Sequence, residues 1–313
     1  MRVVFLGTSP FALPSLERLV RDGYAPELVV TQPDKPRGRD RRPTPTPVGA
    51  WALEHGLKLE RCDRSGLPEL TRRLRASPPD ALVVIAYGAI LPQELLDAPR
   101  LMPINVHASL LPAWRGAAPI HRSILAGDRR TGVSIMRMTR GLDEGPVLDQ
   151  RAIDIAPAED LRSLETRLAR LGADALMDTL RLLGSGRAPL ETPQDASKAT
   201  IARKIVKEDA RMDWALDASE LERRVRALSV WPGCETRLGG RRFLVHDAVR
   251  EDGAQGGPPG RILGLDRAGR LRVGCGRGVL ALGRLQAEGR PAVPASEWVN
   301  GYRVEPGTSF DSP

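Results

Sequence analysis

Short apolar runs alternate with helical patterns through the first half of the chain. Residues 3–6, 28–31 and 81–86 are apolar runs of strand length, and the stretches between them carry apolar residues at helical spacing. Strands that alternate with helices form βαβ units, which build a mostly parallel sheet. The chain is therefore predicted to begin with an α/β domain, whose ligand crevice lies at the carboxyl edge of the sheet.

A different pattern begins beyond the first half. A polar segment over residues 188–204 predicts a linker, and a helix over residues 219–228 precedes short strands separated by glycines. Several short strands with turn signals are typical of a small barrel. We predict a Rossmann-like, mostly parallel sheet domain over residues 1–187, followed by a small OB-like β-barrel domain over residues 205–313.

Composition narrows the class of protein further. The 313 residues are 41% hydrophobic and 27% charged, which is ordinary for a globular protein. The chain starts directly with a strand pattern and has no long apolar run, so we expect a cytoplasmic protein without a membrane partner. The net charge of +8 favours a phosphate-rich partner. The three cysteines are far apart in sequence, which predicts core residues, with no disulfide framework and no metal site.

The first turn after a strand argues against dinucleotides such as NAD and FAD, the most common cofactors of such a fold. Residues 7–11 (GTSPF) contain one glycine, whereas the dinucleotide-binding fingerprint requires three. No phosphate-binding loop of the P-loop type is present either. NAD is therefore not expected as a cofactor.

Asn105 lies in the predicted strand over residues 104–106, and His107 follows it directly. Residues two apart on a strand point to the same side, so an amide and an imidazole would lie together at the carboxyl edge. An amide that holds a developing oxyanion and a base that takes a proton can support acyl transfer. The alternative is a polar pair that only caps a loop.

Asp143 lies in a turn over residues 139–146 that contains two glycines and a proline and follows a predicted strand over residues 132–138. A carboxylate at that strand end could fix the tautomer of His107 and raise its basicity. The alternative is that Asp143 only caps its own turn, which is a common role for aspartate.

A basic, proline-rich arm occupies residues 32–47. Five prolines predict an extended excursion rather than a helix or a sheet interior. Arginine side chains on such an arm suit phosphate groups. The alternative is a solvated loop. The basic residues of the arm are Lys35, Arg37, Arg39, Arg41 and Arg42.

Several segments together resemble the methionyl-tRNA formyltransferase family. They cover nearly the whole chain, with a loose match after about residue 240. The SLLP element is shared by folate-dependent formyltransferases in general, whereas RGAAP and KEDARMDW point to the tRNA enzymes. Few positions depart from the family pattern: Ser9-Pro10, Ala108 and Glu144. The matching segments are residues 30–34 (VTQPD), 86–88 (AYG), 90–92 (ILP), 105–112 (NVHASLLP), 114–120 (WRGAAPI), 132–138, 141–145, 205–216 (IVKEDARMDWAL) and 230–233 (VWPG).

The resemblance implies formyl transfer from 10-formyltetrahydrofolate to the amino group of methionyl initiator tRNA. We also expect a monomer without a metal. It implies that Asn105 holds the formyl oxygen, that His107 manages protons at the amine, and that Asp143 orients His107 and a bound water. The barrel would flank the acceptor arm of the tRNA. The implied folate loop is Ser109, Leu110, Leu111 and Pro112, with backbone near residues 86–91. The implied tRNA contacts are Arg37, Arg39, Arg41 and Arg42, of which Arg42 is the first choice.

Two other functions stay open from the sequence. One is a folate-dependent formyltransferase with a small-molecule acceptor such as a sugar nucleotide or a ribosyl amine. The other is an RNA-binding protein with a relic α/β domain. The basic arm and the C-terminal barrel argue against the first, and the presence of Asn105, His107 and Asp143 argues against the second.

Overall fold

The computed structural model describes residues 1–37, 42–253 and 256–311, with Arg37 described through its backbone. The chain forms two compact units. The domain boundaries after residue 187 and before residue 205 stay a prediction. Residues 188–202 of the predicted linker belong to the first unit. Unit 1 comprises Met1–Pro119, Arg130–Asp154 and Glu165–Ala202, and unit 2 comprises Ile120–Arg129, Ile155–Leu164 and Arg203–Pro313.

The described residues form strands and helices with the following bounds. The strands are β1 Val3–Gly7, β2 Leu28–Thr31, β3 Lys35–Arg37, β4 Arg42–Thr44, β5 Leu59–Arg61, β6 Ala81–Ile85, β7 Met102–His107, β8 Arg115–Gly116, β9 Arg130–Arg137, β10 Val147–Asp154, β11 Ile201–Ala202, β12 Cys234–Leu238, β13 Arg241–Glu251, β14 Ile262–Leu265, β15 Leu271–Gly274, β16 Val279–Ala287 and β17 Ala292–Pro294. The α-helices are α1 Leu13–Arg21, α2 Pro47–Glu54, α3 Leu67–Ala76, α4 Gln93–Leu96, α5 Pro119–Ala126, α6 Leu161–Gly184, α7 Ala218–Ala227 and α8 Ala295–Tyr302. Short 3-10 helices cover Pro10–Ala12, Ala196–Lys198 and Lys207–Ala210.

Unit 1 contains a seven-stranded sheet in the order β10-β9-β7-β6-β1-β2-β5. The five strands from β7 to β5 are parallel, and β9 and β10 add an antiparallel edge. Every residue of β1 and β6 is buried, as expected for central strands covered on both faces. The predicted α/β class with a mostly parallel sheet is confirmed.

Strand β10 is missing from the sequence prediction. Its residues VLDQRAID mix apolar and charged types, and none of them is fully buried. Such an edge strand lacks the clear apolar alternation on which the prediction depends. β7 pairs with β6 in parallel and with β9 in antiparallel fashion. The loop that follows β7 therefore begins where the parallel part of the sheet meets the antiparallel part.

Two described stretches of the proline-rich arm, β3 and β4, pair as the β3–β4 hairpin, whereas the sequence predicts only an extended excursion. β3 and β4 pair in antiparallel fashion, with Pro36 opposite Pro43. Neither proline has an N–H, so this can only be a non-hydrogen-bonded pair, which requires no donor from either residue. The prolines are therefore compatible with a two-stranded ribbon at this register.

Unit 2 is built on an antiparallel sheet in the order β12-β13-β16-β15-β14, with β17 also paired to β16. Register shifts around Asp247 bend the long strand β13. Phe243 meets the buried Trp298 of α8 edge-on, with ring centroids 5.0 Å apart. The small barrel-like domain predicted from the short strands is confirmed.

All three cysteines are buried and free, so the prediction that they are core residues is confirmed. Burial raises the pKa of both the Cys234 and the Cys275 thiol to about 12, so both stay neutral. Among the helices of the described residues, none combines the length and the apolar character that a membrane crossing requires.

Candidate active site

Asn105 and His107 lie at the carboxyl end of β7, in the middle of the sheet of unit 1. Asn105 is opposite Val84 of β6 and Met136 of β9, and His107 is opposite Ser134 of β9. The His107 side chain is 6% exposed. The imidazole therefore lies in a largely water-excluded position, where each hydrogen bond constrains it strongly.

The hydrogen bonds of His107 determine the tautomer of the ring. Its Nε2 lies 2.9 Å from the backbone oxygen of Trp114. Because a carbonyl oxygen can only accept, the neutral ring keeps its proton on Nε2 and leaves Nδ1 as the basic nitrogen. Nδ1 lies 3.7 Å from Oδ2 of Asp143. The Trp114 carbonyl thus sets the tautomer, and Asp143 faces the ring nitrogen that carries no proton in this tautomer.

Asp143 is held by groups outside its own turn. Its Oδ2 accepts a hydrogen bond from the Gly116 backbone N–H at 2.8 Å. Its Oδ1 lies 3.5 Å from Nδ2 of Asn105, at the limit of a hydrogen bond. The carboxylate therefore bridges the loop after β7 and the end of β7 itself. The structure brings Asn105, His107 and Asp143 together.

Unusual backbone conformations cluster at this edge of the sheet. Ala86, Trp114 and Asp143 have φ angles of 45°, 61° and 50°. A non-glycine residue in this left-handed region costs about 1–3 kcal/mol and persists only where its surroundings enforce it. Two of the three residues contact His107, through the Trp114 carbonyl and the Asp143 carboxylate.

The predicted folate loop is fixed by its own hydrogen bonds and by β9. The hydroxyl of the buried Ser109 donates a hydrogen bond to the Ala113 carbonyl oxygen at 2.6 Å. Ser134 donates to the Ser109 carbonyl at 2.7 Å and accepts from the Leu111 N–H at 3.1 Å. Leu111 is buried, whereas Leu110 and Pro112 are half-buried. The Ser109 hydroxyl is thus engaged within the loop.

Two residues that support this loop are absent from the sequence prediction. Ser134 lies inside an otherwise apolar stretch of β9, and this polar residue among buried ones is a signal that could have identified it. Gln150 of β10 donates from Nε2 to the Leu111 carbonyl and to Oγ of Ser134, both at 2.9 Å. Gln150 lies in a strand that the sequence does not predict.

Gln194 is a third residue of the site that the sequence does not predict. Its Nε2 donates to the carbonyl of Asp143 at 2.9 Å and to that of Gly145 at 2.7 Å. Its Oε1 accepts from Nε and Nη2 of the buried Arg115 at 3.0 and 2.8 Å. Glu144 is turned outward, with its side chain 54% exposed and 3.9 Å from Nη1 of Arg115.

Of the predicted tRNA-binding residues, only Arg42 has a described side chain. Arg42 is exposed on β4. Arg39 and Arg41 lie outside the described residues, and only the backbone of Arg37 is described. Among the described hydrogen bonds and ion pairs, none joins Arg42 to Asn105, His107 or Asp143.

Comparison with known proteins identifies the family. The formyl transferase model matches residues 1–180, and the model of the formyl transferase C-terminal domain matches residues 204–303. A methionyl-tRNA formyltransferase from Methylococcus capsulatus (strain Bath) is 46% identical, over 97% of this chain and 98% of the relative. The chain belongs to the methionyl-tRNA formyltransferase family. A further member, from Geobacter sulfurreducens, is 42% identical over 98% of this chain and 96% of the relative's length.

Solved structures show the fold of this formyltransferase in more distant proteins. HypX from Aquifex aeolicus, solved in complex with tetrahydrofolic acid, superposes with a TM-score of 0.66 at 18% identity, over 96% of this chain and 47% of that protein. The N-formyltransferase from Helicobacter canadensis, solved with folinic acid and dTDP-3-aminofucose, superposes with a TM-score of 0.66 at 13% identity. The match covers 92% of this chain and 99% of that protein. The family predicted from the sequence is confirmed.

Proposed function

We propose that this formyltransferase transfers the formyl group of 10-formyltetrahydrofolate to the amino group of methionyl initiator tRNA. The observation that carries the proposal is the convergence of Asn105, His107 and Asp143 at the carboxyl edge of the sheet, beside a loop fixed by Ser134 and Gln150. The full-length relatives named for this reaction support the substrate.

Asn105 stabilises the charge that develops during the attack. As the amine of the methionyl group bonds to the formyl carbon, negative charge grows on the formyl oxygen. The Nδ2 group of Asn105 donates to that oxygen from a position fixed by β7 and its neighbours. A donor that is already in place requires no reorganisation at the moment of reaction, which is why such donors lower barriers effectively.

His107 carries the proton. Since Nε2 is committed to the Trp114 carbonyl, Nδ1 accepts the proton that the attacking amine loses. Asp143, 3.7 Å away, stabilises the imidazolium that forms. His107 then returns the proton to the departing nitrogen of the folate, as the bond between that nitrogen and the formyl carbon breaks. One carbon–nitrogen bond forms and one breaks, and no metal or NAD is needed.

The folate would bind along the loop of Ser109, Leu110, Leu111 and Pro112. The backbone of this loop is pinned by Ser134 and Gln150, so it offers a fixed wall beside Asn105. Half-buried Leu110 and Pro112 offer apolar surface at that wall. A rigid wall holds the formyl carbon within reach of the attacking amine, which is the main benefit of preorganised binding.

The tRNA would be held by the basic arm and by the barrel of unit 2. Arg42 on β4, together with Arg37, Arg39 and Arg41, would contact phosphates of the acceptor end, in keeping with the net charge of +8. The barrel would flank the acceptor arm. A monomeric state and a cytoplasmic location stay predictions.

Formyl transfer onto defined tRNAs tests the proposal. We expect labelled formyl to pass from 10-formyltetrahydrofolate to methionyl initiator tRNA, and neither to the uncharged initiator tRNA nor to methionyl elongator tRNA. An amino sugar nucleotide and a ribosyl amine serve as competing acceptors. Efficient transfer to either of these, with none to the tRNA, would replace this proposal by the small-molecule alternative.

A further inference from the structure

Gln194 uses both ends of its amide to join two segments around Asp143. The amide nitrogen donates to the carbonyls of Asp143 and Gly145, and the amide oxygen accepts two hydrogen bonds from Arg115. Arg115 is 8% exposed. All four residues belong to unit 1. The side chain therefore satisfies its hydrogen-bonding capacity almost entirely within the frame of the active site.

Both segments that Gln194 joins also determine where the Asp143 carboxylate lies. One is the turn that carries Asp143, whose φ of 50° needs enforcement by its surroundings. The other is the chain at Arg115 and Gly116, where the Gly116 N–H donates to Oδ2 of Asp143. Gln194 thus anchors the backbone of Asp143. Through Arg115 it also anchors the neighbouring Gly116, whose N–H holds the Asp143 carboxylate.

A purely structural role would be to dock residues 188–202 onto unit 1, but other contacts already do this. Thr192 exchanges two backbone hydrogen bonds with Val147, both at 2.9 Å. Strand β11 pairs with β8, and the Thr200 hydroxyl accepts from the Trp114 N–H at 2.8 Å. Loss of the Gln194 amide would leave this segment attached and would remove support specifically at Asp143.

We propose that Gln194 is a positioning residue, which holds Asp143 where it can stabilise the protonated His107. The inference rests on the proposed function. Gln194 contacts neither Asn105 nor His107 through any described hydrogen bond, so it acts through Asp143. A displacement of a catalytic group by about 1 Å can cost about 10²-fold in rate.

Two substitutions separate the two ends of the amide. Gln194→Ala removes both, whereas Gln194→Glu keeps an acceptor for Arg115 and loses the donors to the Asp143 and Gly145 carbonyls. We expect kcat to fall about 10- to 100-fold in both variants, with the KM for methionyl-tRNA within about twofold of the parent value. Gln93→Ala is the matched control, because the described hydrogen bonds join its side-chain amide to Asp97, the residue that follows α4, and to no residue of the site. Wild-type kcat in Gln194→Glu would overturn the proposal.

A double-mutant cycle tests whether Gln194 acts through Asp143. In an Asp143→Asn background we expect Gln194→Glu to change kcat by no more than about twofold, because residues that act as a unit are not additive. Independent effects that multiply would contradict the proposal.

Amide hydrogen exchange at Gly116 gives a readout that does not depend on activity. If Gln194 positions Asp143, the Gly116 N–H loses its fixed acceptor, and its exchange in Gln194→Glu should become about tenfold faster, approaching that in Asp143→Ala. Unchanged exchange overturns the proposal. Absence of formyl transfer by the unmodified chain would instead refute the proposed function and leave this readout intact.

Discussion

The end of β7 with the loop after it and the β3–β4 hairpin all belong to unit 1, but these two regions are built in opposite ways. In the loop, residues 108–116, Ser109 and Arg115 are buried and hydrogen bonds tie the backbone to β9, β10 and β11. The hairpin is held by three register pairs, and the side chains of Lys35 and Arg42 are exposed. A two-stranded ribbon of this kind is marginally stable by itself.

The difference matches the physics of the two proposed tasks. An oxyanion donor and a base must be fixed to within a fraction of an ångström, because charge develops at one place only. Binding of a phosphate backbone depends on longer-range charge and is independent of sequence, so exposed cations suffice. The groups that we propose to act on bonds are thus fixed, whereas the cations Lys35 and Arg42, proposed to attract the tRNA, are exposed to solvent.

The largest expected effect comes from His107→Ala. Loss of general acid–base catalysis costs about 10²–10⁴-fold, so kcat should fall within that range while tRNA binding persists. Steady-state kinetics with methionyl initiator tRNA measure it, and His55→Ala, an exposed histidine on the same unit, is the control. A kcat close to that of the parent would show that the end of β7 and the loop after it are not the reacting region.

Asn105→Ala should give the next largest fall in kcat after His107→Ala. Loss of one oxyanion donor costs about 10²–10³-fold in kcat, with little change in the affinity for tRNA. Asn300→Ala, on the exposed face of α8, is the matched control. If the loss appeared in the KM for tRNA and kcat were retained, Asn105 would belong with the binding groups, and the contrast between the two regions would fail.

Gly132→Ala disturbs the order of the loop without changing a catalytic side chain. A Cβ at Gly132 would lie 2.0 Å from the Arg151 carbonyl oxygen and 2.5 Å from Cδ2 of Leu110. We expect the free energy of unfolding to fall by about 1–3 kcal/mol, as for other overpacked sites, and the KM for the folate to rise. Chemical denaturation and kinetics measure the two effects.

The control for this substitution is Gly301→Ala, where an added Cβ meets nothing within 4 Å. This change should leave the folate KM unaltered. A Gly132→Ala enzyme with normal stability and a normal folate KM would indicate that the loop tolerates displacement.

The smallest effect is expected on the hairpin. Lys35→Ala combined with Arg42→Ala should raise the KM for tRNA a few-fold and leave kcat unchanged. Each lost phosphate contact should reduce the slope of log affinity against log salt by about 0.7–0.9. The free energy of unfolding should change by less than about 0.5 kcal/mol, because both side chains are exposed.

The matched control removes two exposed arginines elsewhere on unit 1, by Arg64→Ala and Arg72→Ala. Equal salt slopes in the two double variants would mean that the hairpin contributes only bulk charge.

Much of the fold could be predicted from local pattern. The apolar runs of β1 and β6 are long and uninterrupted, and β-strand alternation alone places Asn105 and His107 on one side of β7. The pairing of β3 with β4 could not be predicted, because proline content speaks against a sheet interior but not against a ribbon in which Pro36 faces Pro43.

The sequence by itself determined the α/β class and the position of Asn105 and His107 at the carboxyl edge of the sheet, with the residue types that we propose for acyl transfer. Only the tertiary structure decided that the Trp114 carbonyl sets the His107 tautomer and that Gln194, 51 residues from Asp143, supports its backbone. The physical reason is that periodicity is a local property of the chain. Which buried donor meets which acceptor depends instead on how distant segments come together.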